Sequence, residues 1–319
     1  MLSELHKLSA RILVTGASGF VGAALMQRLQ IEGRHAYAAI RTASPNARLA
    51  PDLSADANWL PVLHGIDVVV HTAARVHIMN DKAADPLAAF RETNVVGTLA
   101  LARQAAEAGV RRFVFISSIK VNGEETAPDT AFSAADIPAP IDAYGISKAE
   151  AEAGLQQIAR DTGMQVVIIR PPLVYGPGVK ANFQSMMRWL QRGIPLPFGS
   201  IQNKRSLVAL DNLVDLITIC IDHPAAANQI FLAADGEDMS TPELLRRVAA
   251  ALGTTAKLFP VPTSMLTGAA HLIGKPAIAQ RLCSSLQVDI SAARQLLGWQ
   301  PPLTVDEGLR QTAQWFLSR

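Results

Sequence analysis

The chain has only two cysteines, Cys220 and Cys283, far apart among 319 residues. That excludes a disulfide framework and a Cys-x-x-Cys metal pair, and it fits a reducing compartment. No dense Lys/Arg run occurs, and a formal net charge of +2 supplies no field to draw nucleic acid. Met1 to Ala10 is polar and lacks an apolar signal core. The longest apolar candidate, Leu207 to Ile221, is interrupted by Asp211 and Asp215 and falls short of a membrane span. No internal repeat or low-complexity tract is present. What remains is a chain that is 49% hydrophobic, typical of a globular fold and long enough for one large or two modest domains. The expectation is a cytoplasmic protein with no membrane insertion and no metal.

The organising stretch is Ile12-Leu13-Val14-Thr15-Gly16-Ala17-Ser18-Gly19-Phe20-Val21-Gly22. It predicts a short strand, a glycine turn and a helix running to Ile31. Gly16 permits the sharp turn, Gly19 lets a pyrophosphate approach the backbone, and Gly22 lets the helix pack on the strand. The phosphates would then meet free N–H groups at a helix N-terminus. A second strand, His35 to Ile40, ends at Arg41, where dinucleotide folds place an acid for the ribose hydroxyls. An arginine there suits a 2′-phosphate and favours NADP over NAD, with NAD left open; a solvated strand-end arginine reads the same. Asp52 and Leu53 follow a third strand, with Asp52 a candidate adenine contact.

Ile66 to His71 is apolar on both faces, as a strand inside a parallel sheet must be. It leads into the small residues Thr72, Ala73 and Ala74, which let a backbone pass close to the cofactor. His71 and His77 have no third ligand spaced with them, so they read as core or loop histidines. Pro86 to Ala108 has helical periodicity, with Asn94 in its middle. Arg112 to Ile116 is a strand ending in Ser117-Ser118. Asp142 is the expected N-cap of a helix from Ala143 to Thr162. Val166 to Arg170 is a sixth strand, closed by Pro171-Pro172. This alternation predicts an α/β, Rossmann-type doubly wound parallel sheet with a smaller C-terminal α+β substrate-binding domain. The boundary is placed at 176: residues 1–176 bind the dinucleotide, 177–319 mainly bind substrate, and 206–235 return to the sheet. Thr241 to Leu252 is a further helix, with Pro242 in its first turn.

Three residues form a chemical constellation. Ser118 stands at a strand end, and Tyr144 and Lys148 stand four apart on one helix face. A free phenol titrates near about pH 10, too high for a base at neutral pH, and a neighbouring ammonium favours the phenolate. With Ser118 bonding the same oxygen, the set suits proton transfer coupled to hydride transfer at a carbinol or ketone.

Taken together, these motifs resemble the extended short-chain dehydrogenases/reductases of the nucleotide-sugar epimerase/dehydratase type. The likeness covers nearly the whole length, through Thr15 to Gly22, His71 to Ala74, Asn94-Val95-Val96-Gly97-Thr98, Ser117-Ser118, Tyr144 to Lys148, and Arg170 to Gly176. It implies that Ser118, Tyr144 and Lys148 are catalytic, that Lys148 also holds the nicotinamide ribose, and that Asn94 supports the helix behind the site. It implies a cofactor contacting Gly16, Ser18, Gly19, Phe20, Val21, Gly22, Arg41, Asp52, Leu53, Thr72, Ala73, Ala74, Asn94, Ser117, Pro171 and Val174. It also implies a nucleotide diphosphate sugar, UDP-linked, met by Asn182, Arg205 and Arg281, and a homodimer.

One departure matters. Dehydratases of this family carry an Asp-Glu pair directly after the position of Ser118, whereas this chain has Ile119 and Lys120, so 4,6-dehydration is set aside. Lys120 is assigned to substrate or, alternatively, to a loop carboxylate such as Glu124. The run Ser117 to Glu124 resembles UDP-4-keto-6-deoxy-N-acetylhexosamine 4-reductases, often labelled UDP-glucose 4-epimerases. Reduction at C4 is therefore the first expectation and 4-epimerisation the second. A dinucleotide sensor without catalysis is the third, and the Tyr144–Lys148 pair speaks against it.

Overall fold

Among the described residues, nine short runs and a two-residue pairing become ten strands in two sheets. The computed structural model describes residues 10–41, 47–76, 85–272, 274 and 276–319, with the side chains of 276–278 left aside. The main sheet takes β1 (Ile12–Thr15), β2 (Ala36–Ile40), β3 (Ala47–Leu49), β4 (Val68–His71), β5 (Arg112–Ile116), β6 (Gln165–Arg170) and, after a gap, β9 (Ile230–Leu232). Their order is β3-β2-β1-β4-β5-β6-β9, every pairing parallel. The chain reverses direction across the sheet between β1 and β4, which opens a crevice at the C-terminal strand ends. The second sheet joins β7 (Leu173–Tyr175), β8 (Arg205–Ala209) and β10 (Asp238–Met239) in the order β10-β8-β7.

Alternation along the strands decides which layer each side chain enters. Val14, Val70, Val114 and Val167 face α1 (Phe20–Ile31) and α7 (Leu210–Asp222), where Leu25, Leu29, Leu213 and Ile217 are buried. Leu13, Val69, Phe113 and Ile168 face the opposite side. There they meet α4 (Thr98–Glu107) and α5 (Ala143–Thr162) through Leu101, Ala105, Ala151 and Leu155. The short α2 (Leu60–Leu63) closes the edge of this layer. Arg112 is buried within β5 because its guanidinium donates to the Cys220 and His223 carbonyls at 2.8 and 3.0 Å. A cation thereby caps the C-terminus of α7.

The expected uninterrupted helix over 86–108 is not what forms. It is α3 (Pro86–Arg91), then one wide π turn, Glu92–Gly97, then α4. Such a turn inserts a residue into the helical ladder and re-aims a side chain, here Asn94.

A third apolar cluster lies beyond residue 174. It gathers Tyr175, Leu207, Phe183 and Met187 of α6 (Ala181–Gln191), Leu245 and Val248 of α8 (Thr241–Ala251), and Leu309 of α12 (Val305–Leu317). Between these helices run α9 (Thr263–Leu272), α10 (Pro276–Cys283) and α11 (Ser291–Leu297). Among the described residues no helix is long and apolar enough to cross a membrane.

Candidate active site

The glycine turn is built by close approach. Gly16 has φ +68°, and a Cβ there would fall 2.6 Å from the Ala73 nitrogen. A Cβ on Gly22 would fall 2.2 Å from the Gly16 carbonyl oxygen. Only hydrogen fits at either position, so the loops after β1 and β4 touch at the mouth of the crevice. Thr72 fastens them further, its hydroxyl donating to the Thr15 carbonyl at 2.7 Å. The helix α1 that follows starts at Gly19 with no side-chain cap and no acid in its first turn. Ser18 and Gly19 are exposed there. Uncapped N–H groups on a twelve-residue helix, with no competing carboxylate, fit a dinucleotide pyrophosphate.

Arg41 and Asp52 stand at the adjoining strand end as an open pair 3.4 Å apart, 81% and 78% exposed. Leu53 packs beneath them against the π turn, where a Cβ on Gly97 would fall 2.6 Å from its carbonyl carbon. Asn94, projected by that turn, is buried. It accepts from the Arg75 amide at 2.8 Å and donates to the Arg75 carbonyl and the Ser147 hydroxyl, both at 3.0 Å. Ser147 in turn donates to the Tyr144 carbonyl at 2.8 Å. The π turn thus braces the first turn of α5.

Helix α5 starts at Asp142, whose side chain accepts from the Gly145 amide at 2.7 Å. Tyr144 is half-buried, with its ring edge-on to Phe90 at 5.9 Å. Lys148, one turn on, is fully buried. Its ammonium donates to the Ile116 carbonyl at 2.7 Å and sits 4.2 Å above the Phe115 ring. Burial pulls Lys148 down to about 7, with Glu152 opposing the shift.

The phenol behaves differently from the expectation. Burial, reinforced by Asp142, pushes Tyr144 above the ordinary tyrosine range. Desolvation disfavours the charged phenolate, and the neighbouring carboxylate adds to it.

Ser118 is half-buried at the end of β5 and opens a single 3-10 turn, Ile119–Val121, accepting weakly from the Lys120 amide at 3.3 Å. That turn hangs from Pro171, whose carbonyl accepts from the Ile119 amide at 3.0 Å. Ser117 points the other way and donates to Glu152. Glu152 forms a bidentate pair with Arg170, the two side chains 4% and 2% exposed, and Arg170 also donates to Asn122 at 2.9 Å. This buried network under the site went unread in the sequence. Its signal was present in the four-residue spacing Tyr144, Lys148, Glu152, which puts all three on one face of α5. Arg170 reaches that face only because β6 lies beside β5.

His71 is buried between the hydroxyls of Thr15 and Thr98 at 2.7 and 3.0 Å, and desolvation drives it down to about 3. It is a neutral core histidine, and no metal-holding cluster occurs among the described residues. His77 lies outside the described residues. Farther along, Val174 is half-buried in β7, and Asn182 is exposed in the first turn of α6, after Ala181 with φ +55°. Arg205 donates to the Ser284 carbonyl at 3.1 Å. Burial lowers the Arg205 guanidinium, and Arg281 adds to the shift, so the two arginines lie within each other's field.

The sequence profile of the NAD dependent epimerase/dehydratase family matches residues 12–234. The chain belongs to that family. It is an NAD(P)-dependent enzyme of that family. A UDP-glucose 4-epimerase from Vibrio cholerae is 51% identical over 318 residues, covering 98% of this chain and 97% of the relative. Among solved structures, UDP-N-acetylglucosamine 4-epimerase from Bacillus cereus aligns with a TM-score of 0.78 at 19% identity, over 97% of this chain and 99% of the other. RMD from Pseudomonas aeruginosa, complexed with NADPH, aligns with a TM-score of 0.76 at 22% identity, over 98% and 100% of the two chains. At those identities the structural likeness speaks for the fold.

Proposed function

We propose that this family member transfers hydride at C4 of a UDP-hexose and acts as a UDP-hexose 4-epimerase. The observation that carries the reading is the first turn of α5. It holds Tyr144 and Lys148 one helical turn apart, braced by Asn94 through Ser147 and anchored on the Ile116 carbonyl at the end of β5. The name of the Vibrio cholerae relative supports the same reading. The glycine turn would hold the dinucleotide pyrophosphate, and Lys148 would bond the ribose hydroxyls. A bound nicotinamide would supply hydride exchange at C4, and its oxidised ring would add positive charge beside the phenol.

Tyr144 then removes the proton from the C4 hydroxyl as hydride leaves, and returns it once the 4-keto sugar has turned its other face. The Ser118 hydroxyl donates to the same oxygen and holds it against Tyr144. Lys148, poised near neutrality, steadies the phenolate by its charge. Residues 1–176, with 206–235, hold the dinucleotide. Residues 177–319 hold most of the sugar nucleotide, with Arg205 and Arg281 on the diphosphate and Asn182 at its edge.

A second reading, 4-keto reduction with NADPH, is favoured by one observation: Arg41 stands where an acid would bind the ribose. Two incubations separate the readings. Conversion of UDP-galactose without net cofactor change establishes the epimerase. Loss of 340 nm absorbance only with NADPH and a UDP-4-keto-6-deoxy sugar establishes the reductase. Inactivity in both leaves a dinucleotide sensor.

A further inference from the structure

Lys120 is used by neither reading, yet it sits at the seam of the site. It follows Ser118 by two positions in the 3-10 turn. Its ammonium, on a side chain 22% exposed, is held by Glu124 at 3.0 Å and by Asp142. The other Asp142 oxygen caps α5 through the Gly145 amide. The Lys120 backbone is equally engaged: its carbonyl oxygen would lie 2.8 Å from a Cβ on Gly145, and its amide donates to the Ser118 hydroxyl. One residue therefore touches both the segment bearing Ser118 and the segment bearing Tyr144.

We propose that Lys120 is a positioning residue for the proton-transfer pair: its ammonium clamps the Ser118 turn to the N-cap of α5 and offsets the Asp142 carboxylate beside Tyr144. An ammonium gripped by two carboxylates is a fixed charge rather than a hand extended to a sugar. Without it, Glu124 and Asp142 are left as neighbouring like charges across the seam, which pushes the two segments apart. Asp142 already disfavours the Tyr144 phenolate, and its unmasked charge disfavours it further. Among the described residues, the other charged groups on the elements packed against the phenol include Lys148 on α5, Arg75 over the Phe90 ring, and Arg91 of α3 paired with Glu150 of α5. All remain when Lys120 is replaced. The inference rests on the proton role given to Tyr144 above.

The test compares Lys120→Met and Lys120→Arg with the parent protein, all saturated with NAD⁺. The chain has three tyrosines, so subtracting the tyrosinate absorbance of a Tyr144→Phe partner isolates Tyr144. In Lys120→Met the phenolate-to-phenol ratio at a fixed alkaline pH falls about three- to tenfold, equivalent to roughly half to one pH unit. The arginine variant restores it. Turnover of UDP-galactose falls about tenfold with KM nearly unchanged, and the basic limb of its pH profile moves upward. An unmoved phenolate ratio overturns the proposal, whatever happens to melting temperature. A large rise in KM at constant turnover also overturns it, because Lys120 would then hold substrate. If the parent converts no UDP-hexose, the function reading fails, while the absorbance titration still decides the role of Lys120.

Discussion

The two halves of this molecule position their polar groups by different means. Around the glycine turn and α5 short-range devices, Gly22 against the Gly16 carbonyl, Asp142 capping its own helix and Lys148 one turn beyond Tyr144, work beside ties between segments, Gly16 against Ala73 and Glu152 with Arg170. Beyond residue 176 the ties span long stretches of chain. Asn203 donates to the Leu282 and Ser284 carbonyls and accepts from the Thr241 amide at 2.8 Å, and Arg205 reaches Ser284. The first half combines local sterics and helix geometry with a buried ion pair, Glu152 with Arg170. The second is a set of side-chain bonds that exist only once distant segments have met. The cofactor half is accordingly expected to be rigid against single changes in the substrate half, and the reverse to fail.

The sharpest break of that comparison is Tyr144→Phe. Turnover is expected to fall by about 10²–10⁴-fold while dinucleotide affinity, read by fluorescence titration, stays within twofold. Retained activity would remove the proton role. Next is Arg170→Met, which strands the buried Glu152 carboxylate. About 3–5 kcal/mol of unfolding free energy should disappear in urea titration, with turnover lost at temperatures where the parent is stable. Arg205→Met follows. It should raise KM for the sugar nucleotide about thirtyfold, near 2 kcal/mol, with cofactor affinity unchanged, because a charged group in the substrate half is removed alone. A matching loss of cofactor affinity would mean that the halves are not separable.

The smallest effect is a pH dependence. His71 titrates at about 3 in the folded chain against about 6.5 in the unfolded one, so the unfolded state binds the extra proton between those values. Stability from this group is full above pH 6.5 and falls as pH drops toward 3. At pH 5 the loss is about 2 kcal/mol relative to neutrality. His71→Asn should flatten that part of the urea-unfolding profile, even though the variant starts from a lower plateau.

Sequence legibility followed the same division. The central strands β1 and β4 were readable because each is buried along its whole length and so almost wholly apolar. The helix over 143–162 was readable from its Asp142 cap, and the structure closes it at Gly163 in the left-handed region. The return of Gln229 to Ala233 to the sheet was anticipated, and β9 does pair with β6. The π turn was not anticipated, since an inserted residue leaves the apolar spacing over 86–108 nearly unchanged. Glu152 and Arg170 were invisible as a pair, because their meeting depends on β5 and β6 lying side by side.

What the amino-acid order determined alone was the α/β alternation, the glycine turn, and the placing of Tyr144 and Lys148 on one helical face. These depend on φ/ψ sterics and on periods of two and 3.6, which act over a few residues. Tertiary structure decided the protonation of that pair. Folding desolvates Tyr144 and Lys148, raises the one, lowers the other, and brings Lys120 and Arg170 up to the carboxylates of α5. Desolvation and the fields of distant charges exist only in the folded chain, so no local pattern carries them.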